Sequence, residues 1–157
     1  MKSIRAVAVA IHKDKILLMR RIKERDEFYV LPGGGVEENE TVEEAVIREI
    51  IEEASLKIEI KKLVYRHFYD DNSEQFFYLC DYISGEPKLG EGNELEEMRT
   101  SDKNFYEPLW FEIKNLPNLL LYPLEIRDWI IEDSKNNFSG SFPKKATLKV
   151  SDLRQEI

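Results

Sequence analysis

Three glutamates stand close together in the sequence at a spacing that suits a metal ion. Glu49, Glu52 and Glu53 occupy positions i, i+3 and i+4, which project from one face if the segment is helical. Like charges at this spacing repel, so water must screen them or a cation must neutralise them. Carboxylate oxygens suit Mg²⁺ or Mn²⁺, and Mg²⁺ typically fills its shell with water and substrate phosphates. The cluster therefore favours phosphate chemistry; the alternative is a solvated acidic helix face.

The segment 41–54 is predicted to be the helix that carries these glutamates. Thr41 suits the N-cap position, and Glu44 three residues later completes a capping-box pattern. At roughly 100° per residue, an apolar arc lies away from the glutamates and is expected to pack on a sheet. The arc comprises Val46, Ile47, Ile50, Ile51 and Ala54.

A run of three glycines, Gly33, Gly34 and Gly35, precedes this helix. Glycines free the backbone from side-chain sterics and allow close approach to a ligand. The run is not followed by Gly-Lys-Ser/Thr, which argues against an ATP-binding P-loop.

The rest of the chain alternates apolar strands with polar connections. Strands are predicted at 6–11, 15–21, 28–31, 57–69, 75–84 and 105–113. Loops are predicted at 22–27 and at 85–103, the latter long and acidic, a length that is often functional. A second helix is predicted at 123–133, with Pro123 at its first position.

The length of 157 residues fits one compact domain, predicted at 1–134. The segment 135–157 is weakly patterned, and three interpretations stay open: a tail, an extension of the same domain, or a surface that packs in a homodimer. The net charge of -8 argues against a general binder of nucleic acid or of anionic membranes. It does not exclude an anionic small substrate, because a metal can invert the local field.

Cys80 is the only cysteine of the chain, so no intrachain disulfide can form. It lies in an apolar run, which favours a buried thiol over a nucleophile. The N-terminus shows no signal-peptide pattern, and its apolar run is too short to span a bilayer. A soluble protein of the cytoplasm is expected.

The pattern around the glutamates resembles the Nudix hydrolases. Their box is Gly, five residues, Glu, seven residues, then Arg-Glu-hydrophobe-x-Glu-Glu-x-Gly-hydrophobe. Gly34 is followed by Glu40 at the family spacing, and the run from Arg48 to Leu56 completes the box. One position departs, because Ser55 stands where the family usually has a Gly that ends the helix with a positive φ. Fixed residue types at fixed spacing over about two dozen positions make the match specific.

The resemblance implies an α/β sandwich with a mixed central sheet and helices on both sides. It implies that Glu49, Glu52 and Glu53 hold one or more Mg²⁺ ions, for which Mn²⁺ could substitute. The carbonyl of Gly34 or Gly35 would complete the shell. The metal would bridge phosphate oxygens and lower the pKa of an attacking water.

The resemblance also implies roles for the remaining box residues and for a general base. Arg48 and Glu40 would be structural and would brace the loop against the helix. Family members often recruit a further glutamate from a later loop, where Glu94 is the first choice. The same loop also offers Glu91, Glu96 and Glu97. Glu52 or Glu49 could instead act as base through metal-bound water.

The implied reaction is attack of water on a phosphoanhydride bond in a nucleoside diphosphate linked to a moiety X. Nucleoside triphosphates, dinucleoside polyphosphates and sugar nucleotides all stay open as substrates. The sequence shows none of the extra signatures that mark coenzyme A or ADP-ribose enzymes in this family. A catalytically silent module that senses a nucleotide is the main alternative, because fold does not guarantee activity. Arg20, Arg21 and Arg25 are either phosphate contacts or ordinary surface charge. Neither His12 nor His67 shows a partner for a nucleophilic triad.

Overall fold

A computed structural model describes residues 3–90, 98 and 104–151. Its strands are β1 Ile4–His12, β2 Lys15–Lys23, β3 Asp26–Val30, β4 Gly33–Gly35, β5 Lys57–Tyr69, β6 Glu74–Ser84, β7 Asn104–Glu112, β8 Leu121–Tyr122 and β9 Lys144–Leu148. Its helices are α1 Val42–Ala54, a 3₁₀ helix Ile113–Asn118 and α2 Leu124–Ser134. In the described ranges, neither α1 nor α2 has the length and apolar content to cross a membrane.

The strands form one mixed sheet in the order β8-β3-β2-β1-β6-β5-β9, with β4 paired to β1 and β7 paired to β2. The pairs β1–β6, β3–β8 and β5–β9 are parallel, and the other pairs are antiparallel. Residues of α2 join the apolar core on one face, and residues of α1 join the core on the other. The predicted mixed sheet with helices on both sides is confirmed.

Strand β1 supplies both apolar cores. Its Val7 and Val9 pack on the α2 side, whereas Ala6, Ala8 and Ala10 are fully buried on the α1 side. This division follows from the strand itself, since successive side chains point to opposite faces. The small alanines leave room for α1, which carries the glutamates, to lie against the centre of the sheet.

The predicted start of α1 is confirmed, and one member of its apolar arc is corrected. Thr41 is the N-cap, its side chain accepts from the Glu44 amide, and the Glu44 carboxylate accepts from the Thr41 amide. The side chain of Ile50 is fully buried, but that of Ile51 is 51% exposed. Ile51 lies at the margin of the apolar arc, and it faces solvent because α1 contacts the sheet along a stripe narrower than the whole arc.

The loop predicted at 22–27 is wrong, because two strands occupy most of it. Strand β2 continues to Lys23, and β3 starts at Asp26. Ile22 is opposite Glu27 of β3 and opposite Phe105 of β7, so β2 is paired on both edges here. Exposed charged side chains hide this pairing from the sequence, since backbone hydrogen bonds need no apolar pattern.

Two further differences concern the second half of the chain. Pro123 is the N-cap of α2 and has extended backbone, so the helix starts one residue later than predicted. The segment Lys144–Leu148 forms β9 along the edge of β5. Asp133 of α2 links these parts, because its carboxylate accepts from Tyr65 Oη at 2.7 Å and from Lys144 Nζ at 2.7 Å.

His67 lies fully buried between β5 and α2, against the rings of Phe77 and Trp129. Glu125 Oε1 is 3.4 Å from its Nε2 but without hydrogen-bond geometry, so within the described residues both ring nitrogens are unpaired. Burial disfavours the charged imidazolium and lowers the pKa of His67 to about 4. His67 is therefore a packed residue and contacts no part of the glutamate cluster.

This burial predicts a loss of stability at mildly acidic pH. Between pH 6.5 and about 4 the unfolded chain binds a proton at His67 that the folded chain does not, so stability falls as the pH drops. At about 1.4 kcal/mol per pKa unit, the loss approaches roughly 3 kcal/mol. Urea unfolding at pH 7 and pH 4.5 measures it, with His67→Phe as the non-titrating reference. Equal pH dependence in both proteins would contradict the prediction.

Candidate active site

The three glutamates of α1 line one pocket of about 310 Å³ together with the glycine strand β4. The other walls come from β1, β2, β3 and β7. The remaining lining residues are Arg5, Met19, Arg21, Val30, Leu31 and Tyr106. The pocket thus brings the three glutamates of α1 together with the guanidinium groups of Arg5 and Arg21. It therefore holds both negative and positive side chains.

Glu53 and Glu49 meet the glycine strand in different ways. Glu53 is only 6% exposed, and its Oε2 accepts from the Gly33 amide at 3.2 Å. The Glu49 carboxylate lies against Gly34, where an added Cβ would be 2.3 Å from Glu49 Oε1. Gly33 itself lies against β1, since a Cβ there would be 2.4 Å from the Ala6 carbonyl oxygen. Gly33 and Gly34 therefore allow the glycine strand to pack closely on β1 and on Glu49. This packing role adds to the close approach to a ligand that the sequence predicted.

Arg48 joins the glycine strand, the following loop and the helix. Its guanidinium binds Glu40 through two hydrogen bonds of 2.7 and 3.0 Å, and it donates to the Gly35 carbonyl at 3.0 Å. The same group lies 2.9 Å from Glu49 Oε1 and 3.2 Å from Glu52 Oε2. An ion pair thus joins Arg48 to Glu40, and Arg48 also offsets the repulsion among the glutamates.

The electrostatics of this cluster follow from those hydrogen bonds. The Arg48 guanidinium holds the pKa of the Glu40 carboxylate below its ordinary value. In return, the hydrogen bonds that Arg48 donates to Glu40 raise the pKa of Arg48 above its ordinary value, so Arg48 stays charged. Two charged groups in a fixed fork geometry make a stronger and more directional contact than two neutral groups.

Replacing Arg48 by Lys is expected to loosen the loop that precedes α1. A lysine ammonium cannot make the paired contact to Glu40 and still reach the Gly35 carbonyl, because it lacks the planar fork. Losing hydrogen bonds to charged groups predicts a fall of about 1.5–3 kcal/mol in the free energy of unfolding. Urea denaturation measures it. Arg20→Lys is the matched control, since the Arg20 pairs with Glu27 and Glu107 are more exposed and contribute little to stability. Equal losses in the two variants would refute the special role of Arg48.

Two arginines face the glutamates across the pocket. Arg21 lies over the Tyr106 ring at 3.8 Å, and its Nε is buried with no hydrogen-bond partner in the described ranges. Arg5 donates to the Gly33 carbonyl at 3.3 Å. Of the three arginines that the sequence offers as phosphate contacts, only Arg21 lines the pocket. Arg20 pairs with surface carboxylates, and Arg25 is exposed.

Arg5 and Tyr106 were missed by the sequence interpretation. They enter the pocket through strand pairing, because Arg5 is opposite Gly35 and Tyr106 is opposite Arg21. Neither residue carries a motif, and a strand register between distant segments cannot be derived from one sequence.

No three His, Cys, Asp or Glu side chains surround a common point as metal ligands among the described residues. The contacts explain this, since Arg48 holds Glu49 and Glu52 while Glu53 accepts from the Gly33 amide. The donor set still fits a hard cation, because three carboxylates line one pocket beside a glycine that leaves space for them. Of the two carbonyls considered, that of Gly35 is engaged by Arg48, which favours Gly34.

Other candidates lie elsewhere or outside the described residues. Glu94, like Glu91, Glu96 and Glu97, falls in a segment that the structure does not describe. His12 is at the end of β1, where its ring lies 4.5 Å from that of Tyr82. Cys80 is fully buried, so the predicted buried thiol is confirmed, and burial raises the pKa of this thiol to about 12.

Comparison with known proteins agrees with this geometry. The sequence profile of the NUDIX domain matches residues 2–130. The chain is 38% identical over 125 residues to an ADP-ribose pyrophosphatase from Methanocaldococcus jannaschii, covering 73% of this chain and 66% of that protein. It is 29% identical over 130 residues to the NAD-capped RNA hydrolase NudC from Salmonella heidelberg, covering 82% of this chain and 46% of that one. The match thus spans 66% of the length of the first relative and less than half of the length of the second.

Solved structures show the same fold. A NUDIX hydrolase from Nitrosomonas europaea superposes with a TM-score of 0.71 at 17% identity, covering 93% of this chain and 79% of that one. An ADP-ribose pyrophosphatase from Streptococcus suis superposes with a TM-score of 0.62 at 24% identity, covering 91% of this chain and 97% of that one. Together with the domain match over residues 2–130, the box and its pocket lead to one conclusion: the chain belongs to the NUDIX family.

Proposed function

We propose that this protein is a metal-dependent hydrolase that cleaves a phosphoanhydride bond in a nucleoside diphosphate linked to a moiety X. The observation that carries the proposal is the convergence of three carboxylates and two arginines on one pocket beside the glycine strand. Carboxylates in such a pocket suit a hard cation, and guanidinium groups suit phosphate oxygens. A purely structural acidic helix would need neither arginine to face it.

Glu49, Glu52 and Glu53 would hold the metal, with the Gly34 carbonyl as a further oxygen donor. Mg²⁺ is the expected ion, and Mn²⁺ is expected to substitute because it takes similar oxygen ligands. When bound, the ion supplies charge neutralisation at the phosphates and activates water for attack.

The chain's own residues then bind and orient the substrate. Arg21 and Arg5 would take phosphate oxygens on the wall opposite the glutamates, and the Tyr106 ring keeps the Arg21 guanidinium in place. Arg48 and Glu40 would hold the glycine strand at a fixed distance from α1. Fixed positioning of this kind lowers the barrier because less freedom is lost on the way to the transition state.

For the proton acceptor, Glu94 stays our first candidate, with Glu52 and Glu49 as alternatives that act through bound water. Glu94→Gln is expected to lower kcat by about 10²-fold or more while leaving Mn²⁺ affinity unchanged, as general-base loss predicts. A drop in Mn²⁺ affinity would move Glu94 to the metal-holding set. An unchanged kcat would leave Glu52 and Glu49 as the candidates.

The names of the relatives suggest which substrates to assay first. ADP-ribose and NAD both join adenosine diphosphate to a second ribosyl group, so they head a panel with an NAD-capped RNA, a nucleoside triphosphate, a dinucleoside polyphosphate and a sugar nucleotide. Each is incubated with Mg²⁺ or Mn²⁺, and products are separated by chromatography, with Glu53→Gln as the control. Turnover of one member by the wild type alone supports the proposal. Binding of a nucleotide with no turnover of any member would favour the sensing module.

A further inference from the structure

The segment 85–90, here called the strap, runs from the end of β6 along the last turn of α1. The Lys88 amide donates to the Ala54 carbonyl at 3.1 Å, and the Gly90 amide donates to the Glu52 carbonyl at 3.0 Å. The last carbonyls of any helix lack partners within the helix and need donors from elsewhere. The strap supplies two of these donors, and one of them reaches the backbone of a glutamate that faces the pocket.

Gly90 is required for this contact. A Cβ at that position would be 2.4 Å from the Glu52 carbonyl oxygen and 3.0 Å from that of Ile51. Both atoms belong to the helix backbone, so they cannot swing aside as a side chain can. Any residue larger than Gly must therefore push the strap away from the helix.

Ser55, at the C-terminal end of α1, also connects the helix to the strap. It is the C-cap of α1 in the left-handed conformation, with φ 60 and ψ 27, and its amide donates to the Ile51 carbonyl. Its hydroxyl donates to the Lys88 carbonyl at 2.8 Å. A glycine would fit this backbone with less strain but could not make the bond. The one departure from the usual box thus has a structural consequence that a glycine lacks.

We propose that Ser55 and the strap position the last turn of α1, and with it Glu52 and Glu53, for metal binding. The proposal rests on the proposed function of these glutamates. A last turn without partners for its carbonyls frays, and a frayed turn spreads its carboxylates over many positions. Because coupling is reciprocal, metal binding at the glutamates is in turn expected to hold the strap on the helix.

Three substitutions and one control test the role of the strap. Ser55→Ala removes the hydroxyl, and Ser55→Asn restores a side-chain donor on a residue that tolerates the left-handed conformation. Gly90→Ala separates the strap from the helix. Lys88→Ala is the control, because Lys88 contacts the helix through its backbone alone in the described ranges.

Two readouts distinguish positioning from a general loss of stability. Mn²⁺ affinity, measured by calorimetry, is expected to weaken about 10–100-fold in Gly90→Ala, the range seen when outer-shell partners of a metal site are lost. It should weaken roughly three- to tenfold in Ser55→Ala, the worth of one hydrogen bond, and recover in Ser55→Asn. Hydrogen exchange at the Lys88 and Gly90 amides should slow when Mg²⁺ is added to the wild type and rise in Ser55→Ala.

The outcomes separate this proposal from the proposed function. A wild type that binds no Mn²⁺ and turns over no substrate overturns the proposed function. If the wild type binds Mn²⁺ and both Gly90→Ala and Ser55→Ala bind it as tightly as the wild type does, the positioning role alone is overturned. Weakening in Lys88→Ala equal to that in Ser55→Ala would also count against it, since the side chain of Lys88 has no part in the contact.

Discussion

Replacing Glu53 by Gln is expected to abolish most metal-dependent turnover while leaving the fold intact. Glutamine keeps an oxygen that can accept from the Gly33 amide at the present 3.2 Å, so the buried contact survives and only the charge is lost. A metal contributes several kcal/mol to phosphate chemistry, and each 1.36 kcal/mol is tenfold in rate, so a loss on the order of 10²–10³-fold is expected. Steady-state kinetics with the best substrate of the panel measures it, alongside thermal unfolding.

Glu38→Gln provides the control for this experiment. Glu38 is an exposed residue of the loop before α1 and does not line the pocket. The substitution Glu38→Gln removes the same charge from the same region, so a general electrostatic effect would appear both in Glu38→Gln and in Glu53→Gln. Full turnover in Glu53→Gln, with Mg²⁺ dependence unchanged, would show that the Glu53 carboxylate does not hold the metal.

The second large effect is expected from an alanine scan of the three consecutive glycines. Gly33→Ala would place its Cβ 2.4 Å from the Ala6 carbonyl oxygen and 2.8 Å from Val7 Cα, both in the backbone of β1. Strand β4 must then move off β1, and overpacking of this kind costs typically about 1–3 kcal/mol of stability. Urea unfolding measures the loss, and turnover falls with it because the pocket loses a wall.

Gly34→Ala is expected to act on the metal site instead of the fold. Its Cβ would meet the carboxylate of Glu49 at 2.3 Å, and a carboxylate can swing away where backbone cannot. The free energy of unfolding should therefore change little, whereas Mn²⁺ affinity should fall by about 10–100-fold as Glu49 is displaced. Gly35→Ala meets nothing within 4 Å and serves as the matched control, with stability expected within about 0.5 kcal/mol of the wild type.

The contrast among neighbouring glycines makes this scan decisive. One methyl group is added each time, and only its surroundings differ. If Gly34→Ala binds Mn²⁺ as tightly as Gly35→Ala, then Glu49 is not a ligand in its present position. If Gly33→Ala is as stable as Gly35→Ala, then β4 does not depend on its close approach to β1.

Local patterns predicted the elements that have local causes. The helix start at Thr41 and the three glutamates on one face follow from hydrogen bonds and geometry within a few residues, and both agree with the structure. At Ser55, where the family usually has Gly, the structure keeps the left-handed conformation with φ 60 despite the side chain.

Strand edges and charged hairpins were harder to predict. Residues 22–27 carry mostly charged side chains, yet β2 and β3 extend into them because backbone pairing with β7 and with each other satisfies their peptide groups. Similarly, Ile51 belongs to the apolar arc of α1 by its angle but is half exposed, since the contact with the sheet decides which part of the arc is buried.

The sequence by itself determined the family and the helix that carries the glutamates. These features depend on residue types at fixed separations along the chain, and one sequence displays such separations directly. Only the tertiary structure decided that Arg21 and Arg5 face the glutamates, that Gly34 receives the Glu49 carboxylate and that the strap closes on α1. Those contacts depend on strand register and on chain segments far apart in sequence, whose approach is set by the packing of the whole sheet and its helices.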